Sequence, residues 1–224
     1  LASGNNYFWV TFDIRGDAYT GSDSNRVSCK LESFIIAGVT RTPSSVTAPT
    51  GIRIIPNSFY YTLASGNSDA NIFSTTEGGA NCNCQPNGAG AVVVTTGTEL
   101  TLNKTLIVDA VEIRDGASFT SNSNIKDLTL NSQLAMFGNA TFDILGNLTV
   151  KGTTYLYNTS NLQILKNAYL DGDINIESDA ILSAENSLSG DIFIKGNAII
   201  DGLLIHNTER TIYFNGTGTQ AITG

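Results

Sequence analysis

The stretch GDIFIKGNAIIDG, residues 190–202, decides the fold. It has the apolar beat of a β-strand, yet Gly, Asn or Asp interrupts it every few residues. Strands that short cannot close a core by themselves and need neighbours of the same pattern. One phrase recurs upstream: Gly or Asn, then Asn or Asp, then a small or apolar residue, then alternating Ile, Leu or Val. It is present in DLTLNSQLAMFGNA (127–140), in GNATFDILGNLTVKG (138–152) and across residues 166–202. ESDAI (177–181) and KGNAI (195–199) sit one coil length apart; elsewhere the spacing drifts, so the repeat reads as degenerate.

This pattern suits a parallel β-solenoid, in which each short strand pairs with its equivalent one coil above and below. Inward positions take aliphatic side chains that stack along the axis, and corners take Gly, Asn or Asp, which tolerate positive φ at low cost. Ile192 and Ile194 are expected inside, Gly196 and Asn197 at a corner, and Ile199 on the next face. An antiparallel sandwich or propeller would instead place Asn-Gly or Asp-Gly hairpins between strands of about five or more residues. Such pairs begin at Asn87, Asn215, Asp115, Asp171 and Asp201, and three of these five lie between strands too short for a hairpin ladder. The expected fold class is all-β: a partial β-sandwich module followed by a right-handed parallel β-helix.

Composition agrees with a turn-dense β protein. The 224 residues are 41% hydrophobic and 14% charged, enough apolar matter for a core, with 22 Gly and only 4 Pro. A net charge of −8 with 12 Lys and Arg lacks the clustered cations that a phosphate backbone requires, so nucleic acid is not an expected partner. No apolar run approaches the ~20 residues that span a bilayer, and no charged-then-apolar leader opens the chain. The one Met is Met136, and the chain runs from Leu1 to Gly224 with its end inside the repeat. A piece of a longer chain, with sorting signals elsewhere, is expected.

Three modules are expected along the chain. In residues 1–56, NNYFWVTFDI (5–14) alternates large β-formers on both faces, with Trp9 in a sandwich core, and RVSCKLESFIIAG (26–38) supplies a second strand, the rest coming from upstream. Residues 57–98 read as connector and solenoid cap, after a Thr-, Ser- and Pro-rich passage with Pro43, Pro49 and Pro56. Residues 99–224 read as the β-helix. Of Cys29, Cys82 and Cys84, a structural disulfide between Cys29 and one of the CNC pair is expected of an exported protein. Zinc, which takes about four ligands, is not expected beside a single His.

The string NNYFWVTFDI, with GDAYTGS after it and the Cys29 strand beyond, resembles the N-terminal β-domain of secreted sialidase-like (BNR-repeat) proteins and other large surface proteins of Bacteroidota. The match rests on Gly4, Asn6, Tyr7, Phe8, Trp9, Thr11, Asp13, Ala18, Gly21 and Cys29, and departs at Phe12, where Tyr is usual. It covers about a fifth of the chain and implies no sialidase activity, because the module is an accessory one. The passage into the coils is similar to the capped start of right-handed β-helical regions in the same class, commonly type IX secretion cargo. The resemblance implies export to the cell surface or medium, with the secretion machinery as a partner.

Two functions remain open on the residues. The first is a non-catalytic stalk or adhesin touching polysaccharide or cell-surface glycans. The second is a β-helix carbohydrate-active enzyme, a polysaccharide lyase or glycoside hydrolase, which would set carboxylates and a cation on one face, often with calcium. Its candidates are Asp171, Asp173, Glu177, Asp179, Glu185 and Asp191 with Lys195 and Arg210, and calcium would sit at Asp171 and Asp173. Corner carboxylates usually cap their own turns, so no catalytic set is expected. His206 has no nucleophile motif beside it. Phe119, Phe137, Phe142, Tyr155, Tyr157, Tyr169, Phe193, Tyr213 and Phe214 form either a sugar-stacking stripe or, more commonly, core stacking. The glycan-acceptor triplets at Asn103, Asn139, Asn147, Asn158 and Asn215 arise from the same corner chemistry.

Overall fold

Leu128, Leu148 and Ala168 explain the coil length. In a computed structural model of the chain they pair strand on strand, twenty residues apart each time, and Ile192 and Ile212 continue the same line. The spacing drifts as expected around a coil of about twenty residues, from nineteen between Ala91 and Ala110 to twenty-four between Ala168 and Ile192. The structure describes residues 58–122, 125–184 and 190–224, and in addition the backbone of the strands at 25–27, 34–36, 39–41 and 53–55.

The chain divides into two compact units, 1–55 and 56–224. In the first, Asn25–Val27 pairs antiparallel with Arg53–Ile55, and Phe34–Ile36 with Val39–Arg41. The rest of the expected sandwich, including Trp9 and Cys29, lies outside the described residues.

The second unit is a parallel β-solenoid of about six turns, and no helix occurs among its described residues. Each turn has three faces. Face I carries Ser58–Thr62, Gly90–Val94, residues 110–113 and 133–136, Thr154–Leu156, Ile174–Ile176, Ala198–Ile200 and Ile222–Thr223. Face II carries Gly66–Asn67, Glu99–Leu102, Ser118–Ser121, Thr141–Ile144, Asn161–Ile164, Ile181–Ala184 and Leu203–His206. Face III carries 106–108, 128–130, Leu148–Val150, Ala168–Leu170, Ile192–Ile194 and Ile212–Phe214. Successive strands on every face run parallel, which removes the hairpin alternative. Among the described residues of this unit, the one antiparallel pair joins Ser58–Thr62 to Phe73–Ser74 at the first turn. Residues 58–98 are thus stitched into the stack.

Strands of three or four residues suffice because each inward side chain rests on its equivalent in the next turn. Val108, Leu130, Val150, Leu170 and Ile194 form one such ladder and are fully buried. Phe119 stacks on Phe142 inside face II, with ring centroids 5.3 Å apart. Within the opening stretch, Ile192 and Ile194 are inside and the corner turns at Gly196 and Asn197, as expected. On the next face Ala198 is buried and Ile199 points outward, since a strand starting at Ala198 gives alternate positions to the core.

The corners obey two rules. Between faces I and II an inward line of Ala117, Ala140, Ser160 and Ala180 keeps the bend narrow. Between faces III and I, Gly152, Gly172 and Gly196 lie one above another. A Cβ on Gly172 would overlap the Gly152 carbonyl group, and one on Gly196 would overlap that of Gly172. Glycine is needed there for close approach of backbone to backbone.

Candidate functional surface

The acidic candidates lie at corners, and the coil spacing decides what they do. An Asp or Asn just before a strand has its Oδ1 about one strand spacing (roughly 4.8 Å) below the equivalent residue, within reach of that residue's N–H. Asp173 Oδ1 accepts from Asn197 N at 2.7 Å, and Asn197 Oδ1 from Ala221 N at 3.0 Å. On the neighbouring corner, Asp127 accepts from Asn147 N, Asn167 from Asp191 N and Asp191 from Thr211 N, all at 2.8–2.9 Å. These bonds join one turn to the next, a coil-to-coil variant of the side-chain turn capping expected of such residues.

Asp171 stands on the corner after face III, in line with Asn131, Lys151, Lys195 and Asn215. Lys195 Nζ is 2.7 Å from Asp171 Oδ1, and Lys151 Nζ donates to Asn131 Oδ1 at 2.8 Å. The calcium candidates Asp171 and Asp173 therefore engage Lys195 and the Asn197 amide respectively. Among the described residues no group of three or more His, Cys, Asp or Glu converges as a metal site. Glu177 Oε2 accepts from Asn158 N at 3.3 Å, and Glu185 lies outside the described residues.

Arg210 does not join an outward cluster. It is buried, and its guanidinium donates to the carbonyls of Ile164 at 3.0 Å and Leu165 at 2.7 Å, two turns back. Burial lowers its pKa, while the Asp191 charge acts to raise it. Carbonyls that end a strand at a corner need donors, and this side chain supplies them. His206 ends a face II strand, exposed, with Nδ1 2.9 Å from the Asn207 carbonyl oxygen. The triplet asparagines do corner work too: Asn103 Oδ1 accepts from Ser68 Oγ, Asn139 bonds both Asp115 and Thr159, and Asn158 has a φ of 53°.

The aromatic residues divide between inside and outside. Phe119 and Phe142 belong to the core, whereas Tyr169, Phe193 and Tyr213 line up on the outer side of face III. Their centroids are 5.1 and 5.0 Å apart and their planes within 8° and 6° of parallel. Phe193 therefore has both ring faces covered by its neighbours, so no sugar can lie flat on it; the ladder offers ring edges and tyrosine hydroxyls. A legible signal existed: each ring is the middle residue of a triplet whose outer two positions are apolar, AYL, IFI and IYF. A shorter ladder joins Phe137 to Tyr157, just past face I at the corner, at 4.8 Å.

Of the three cysteines, Cys82 is bonded to Cys84, and Cys29 lies outside the described residues. Asn83, with a φ of 49°, turns the backbone so that the two Cα atoms come within 5.1 Å. Nearby, Arg114 pairs with Glu77 and Glu112 and lies over the Tyr61 ring at 5.8 Å. The Arg114 hydrogen bond holds the Glu77 carboxyl below its usual range, and burial pushes the Tyr61 phenol up.

Compared with known proteins, the chain matches no family model, no curated protein and no solved structure. No helix among the described residues is long and apolar enough to cross a membrane.

Proposed function

We propose that the chain is a non-catalytic, exported cell-surface protein whose β-helical unit serves as a stalk or adhesive contact face for glycans or neighbouring surfaces. The observation that carries this reading is the use made of the carboxylates. Asp173 and Asp191 join turn to turn through backbone amides, and Asp171 faces Lys195, so the acids a polysaccharide-cleaving site would need are engaged in stacking. The face left for contact is face III, where the Tyr169, Phe193 and Tyr213 ladder runs beside the corner line of Lys151, Asp171 and Lys195. A regular row of ring edges, hydroxyls and charges suits an extended, hydroxyl-rich polymer lying along the coil axis. Export, and passage through a type IX secretion machinery, is part of the same reading and rests on the residue match at 4–29. A right-handed winding belongs to it as well, being the sense that parallel crossovers take in nearly all cases.

The test is to incubate the chain with a panel of acidic and neutral polysaccharides, with and without calcium, scoring both retention and bond cleavage. Retention without cleavage, weakened in Phe193→Leu, is the expected result. Cleavage abolished in the Asp171→Asn, Asp173→Asn double variant would establish the enzyme instead.

A further inference from the structure

The Cys82–Cys84 bridge sits where a staple has little to hold. A cross-link stabilises a fold chiefly by the chain freedom it removes from the unfolded state, and that freedom grows with the length of the closed loop. Here one residue, Asn83, separates the two cysteines. Linkage is reciprocal: a fold favours its disulfide only by as much as the disulfide favours the fold. Ordering one intervening residue shifts the dithiol–disulfide balance by roughly five- to thirtyfold.

The loop is also anchored without the sulfurs. Cys82 N donates to the Phe73 carbonyl at 2.9 Å, Asn83 N to Asn81 Oδ1 at 2.8 Å, and the side chains of Asn81 and Gln85 donate to the carbonyls of Asn71 and Asp69. Lys104 Nζ holds Gln85 Oε1 at 2.8 Å. Opening the S–S bond removes none of these. The Phe73 carbonyl oxygen, moreover, lies 3.1 Å from Cys82 Sγ, placed to accept from a thiol S–H there. Both cysteines are half-buried between exposed Asn81, Asn83 and Gln85, so a small thiol has access.

We propose that Cys82 and Cys84 form a reversible thiol–disulfide exchange site for low-molecular-weight thiols of the glutathione class. A thiolate attacks Cys84 Sγ, forming a mixed disulfide. The Cys82–Cys84 bond breaks, and its electron pair leaves on Cys82 Sγ, which takes a proton from solvent and, as a thiol, donates a hydrogen bond to the Phe73 carbonyl oxygen. A second thiolate then attacks the small-molecule sulfur of the mixed disulfide, and the Cys84 thiolate that leaves is protonated. The protein pair is reduced by two electrons and two small thiols become one disulfide. Because the loop stays anchored, the dithiol is held ready to re-form the bridge.

The test uses the full chain carrying Cys29→Ser, equilibrated across reduced and oxidised glutathione, quenched with a mass-adding thiol reagent and counted by mass spectrometry. The peptide Asn-Cys-Asn-Cys-Gln, residues 81–85, is the reference. The expected midpoint lies within about a hundredfold of the peptide's, or on its dithiol side, and reduction lowers the thermal unfolding midpoint by no more than about 8 °C, the shift that ordering one residue implies. A midpoint displaced further than that toward the disulfide, or a chain that loses its cooperative unfolding on reduction, would make the bridge a structural staple and overturn the proposal. A Cys82→Ser, Cys84→Ser double variant that unfolds like the oxidised chain would support it independently.

Discussion

The middle turns and the first turn of the solenoid are stabilised in different ways. Between residues 128 and 184 each group meets its own equivalent: Leu148 rests on Leu128, Leu162 on Phe142, Gly172 on Gly152. At the first turn no described strand of the unit lies before Ser58–Thr62 as its equivalent, and particular contacts replace repetition. Phe73, fully buried, packs edge-on to Tyr60 at 6.3 Å and closes the core. The Thr62 hydroxyl meets those of Thr95 and Thr98 at 3.1 and 2.6 Å, and Arg114 binds Glu77. The difference teaches that a repeat stabilises its interior by nearest-neighbour stacking, whereas its end needs side chains chosen singly.

The largest effect should come from unplugging that end. Phe73→Ala removes a fully buried ring and should cost about 3–5 kcal/mol by urea denaturation. Hydrogen exchange should quicken at Ser58–Thr62 and Gly90–Val94 while the turns between 148 and 184 stay protected. Uniform loss over all turns would mean that cap and coils melt as one unit and would erase the contrast.

A methyl group in the repeat itself tests the other side. Gly172→Ala drives a Cβ into the Gly152 carbonyl group and should cost about 3 kcal/mol, because neither backbone can move without separating two turns. Gly97→Ala, in the first full turn, is the control. Its φ of 73° disfavours a side chain, but the space around it is open, and about 1 kcal/mol is expected. Equal urea midpoints for the two variants would remove close approach as the reason for the glycine ladder.

Much of this architecture was legible in the sequence because stacking makes position and chemistry coincide. Ile192 and Ile194 inside, with Gly196 and Asn197 at a corner, follow from period and turn preference alone. The twenty-residue coil was hidden by insertions such as the one between Ala168 and Ile192, which shift the register without altering any strand. Ile199 was hard to orient because the corner's length, not its composition, sets the parity of the next strand. The outward aromatic ladder and the inward Phe119–Phe142 pair use the same residue type, and only strand parity separates them. The Cys82–Cys84 bond depends on the left-handed turn at Asn83, which two cysteines one residue apart do not by themselves announce.

The smallest effect concerns a group on the border between the two regions. Asp109 sits at the irregularity between Val108 and Ala110, where the strand leaving the first full turn bends from face III to face I. It is 5% exposed, and its Oδ2 has no hydrogen-bond partner. Burial raises its carboxyl pKa above the ordinary value. The folded chain then binds the proton more tightly than the unfolded one, so stability falls as pH rises from the ordinary carboxylate range through the raised folded pKa, and levels off above it. Asp109→Asn keeps the shape and removes the charge. It should stabilise the chain by about 1 kcal/mol at neutral pH, the cost of a buried unpaired polar group, and by nothing measurable below the ordinary aspartate range. Thermal unfolding of both chains across that pH span reads the difference directly. A gain that persists in acid would mean that the amide found a partner the carboxylate lacked, and that charge was not the cause.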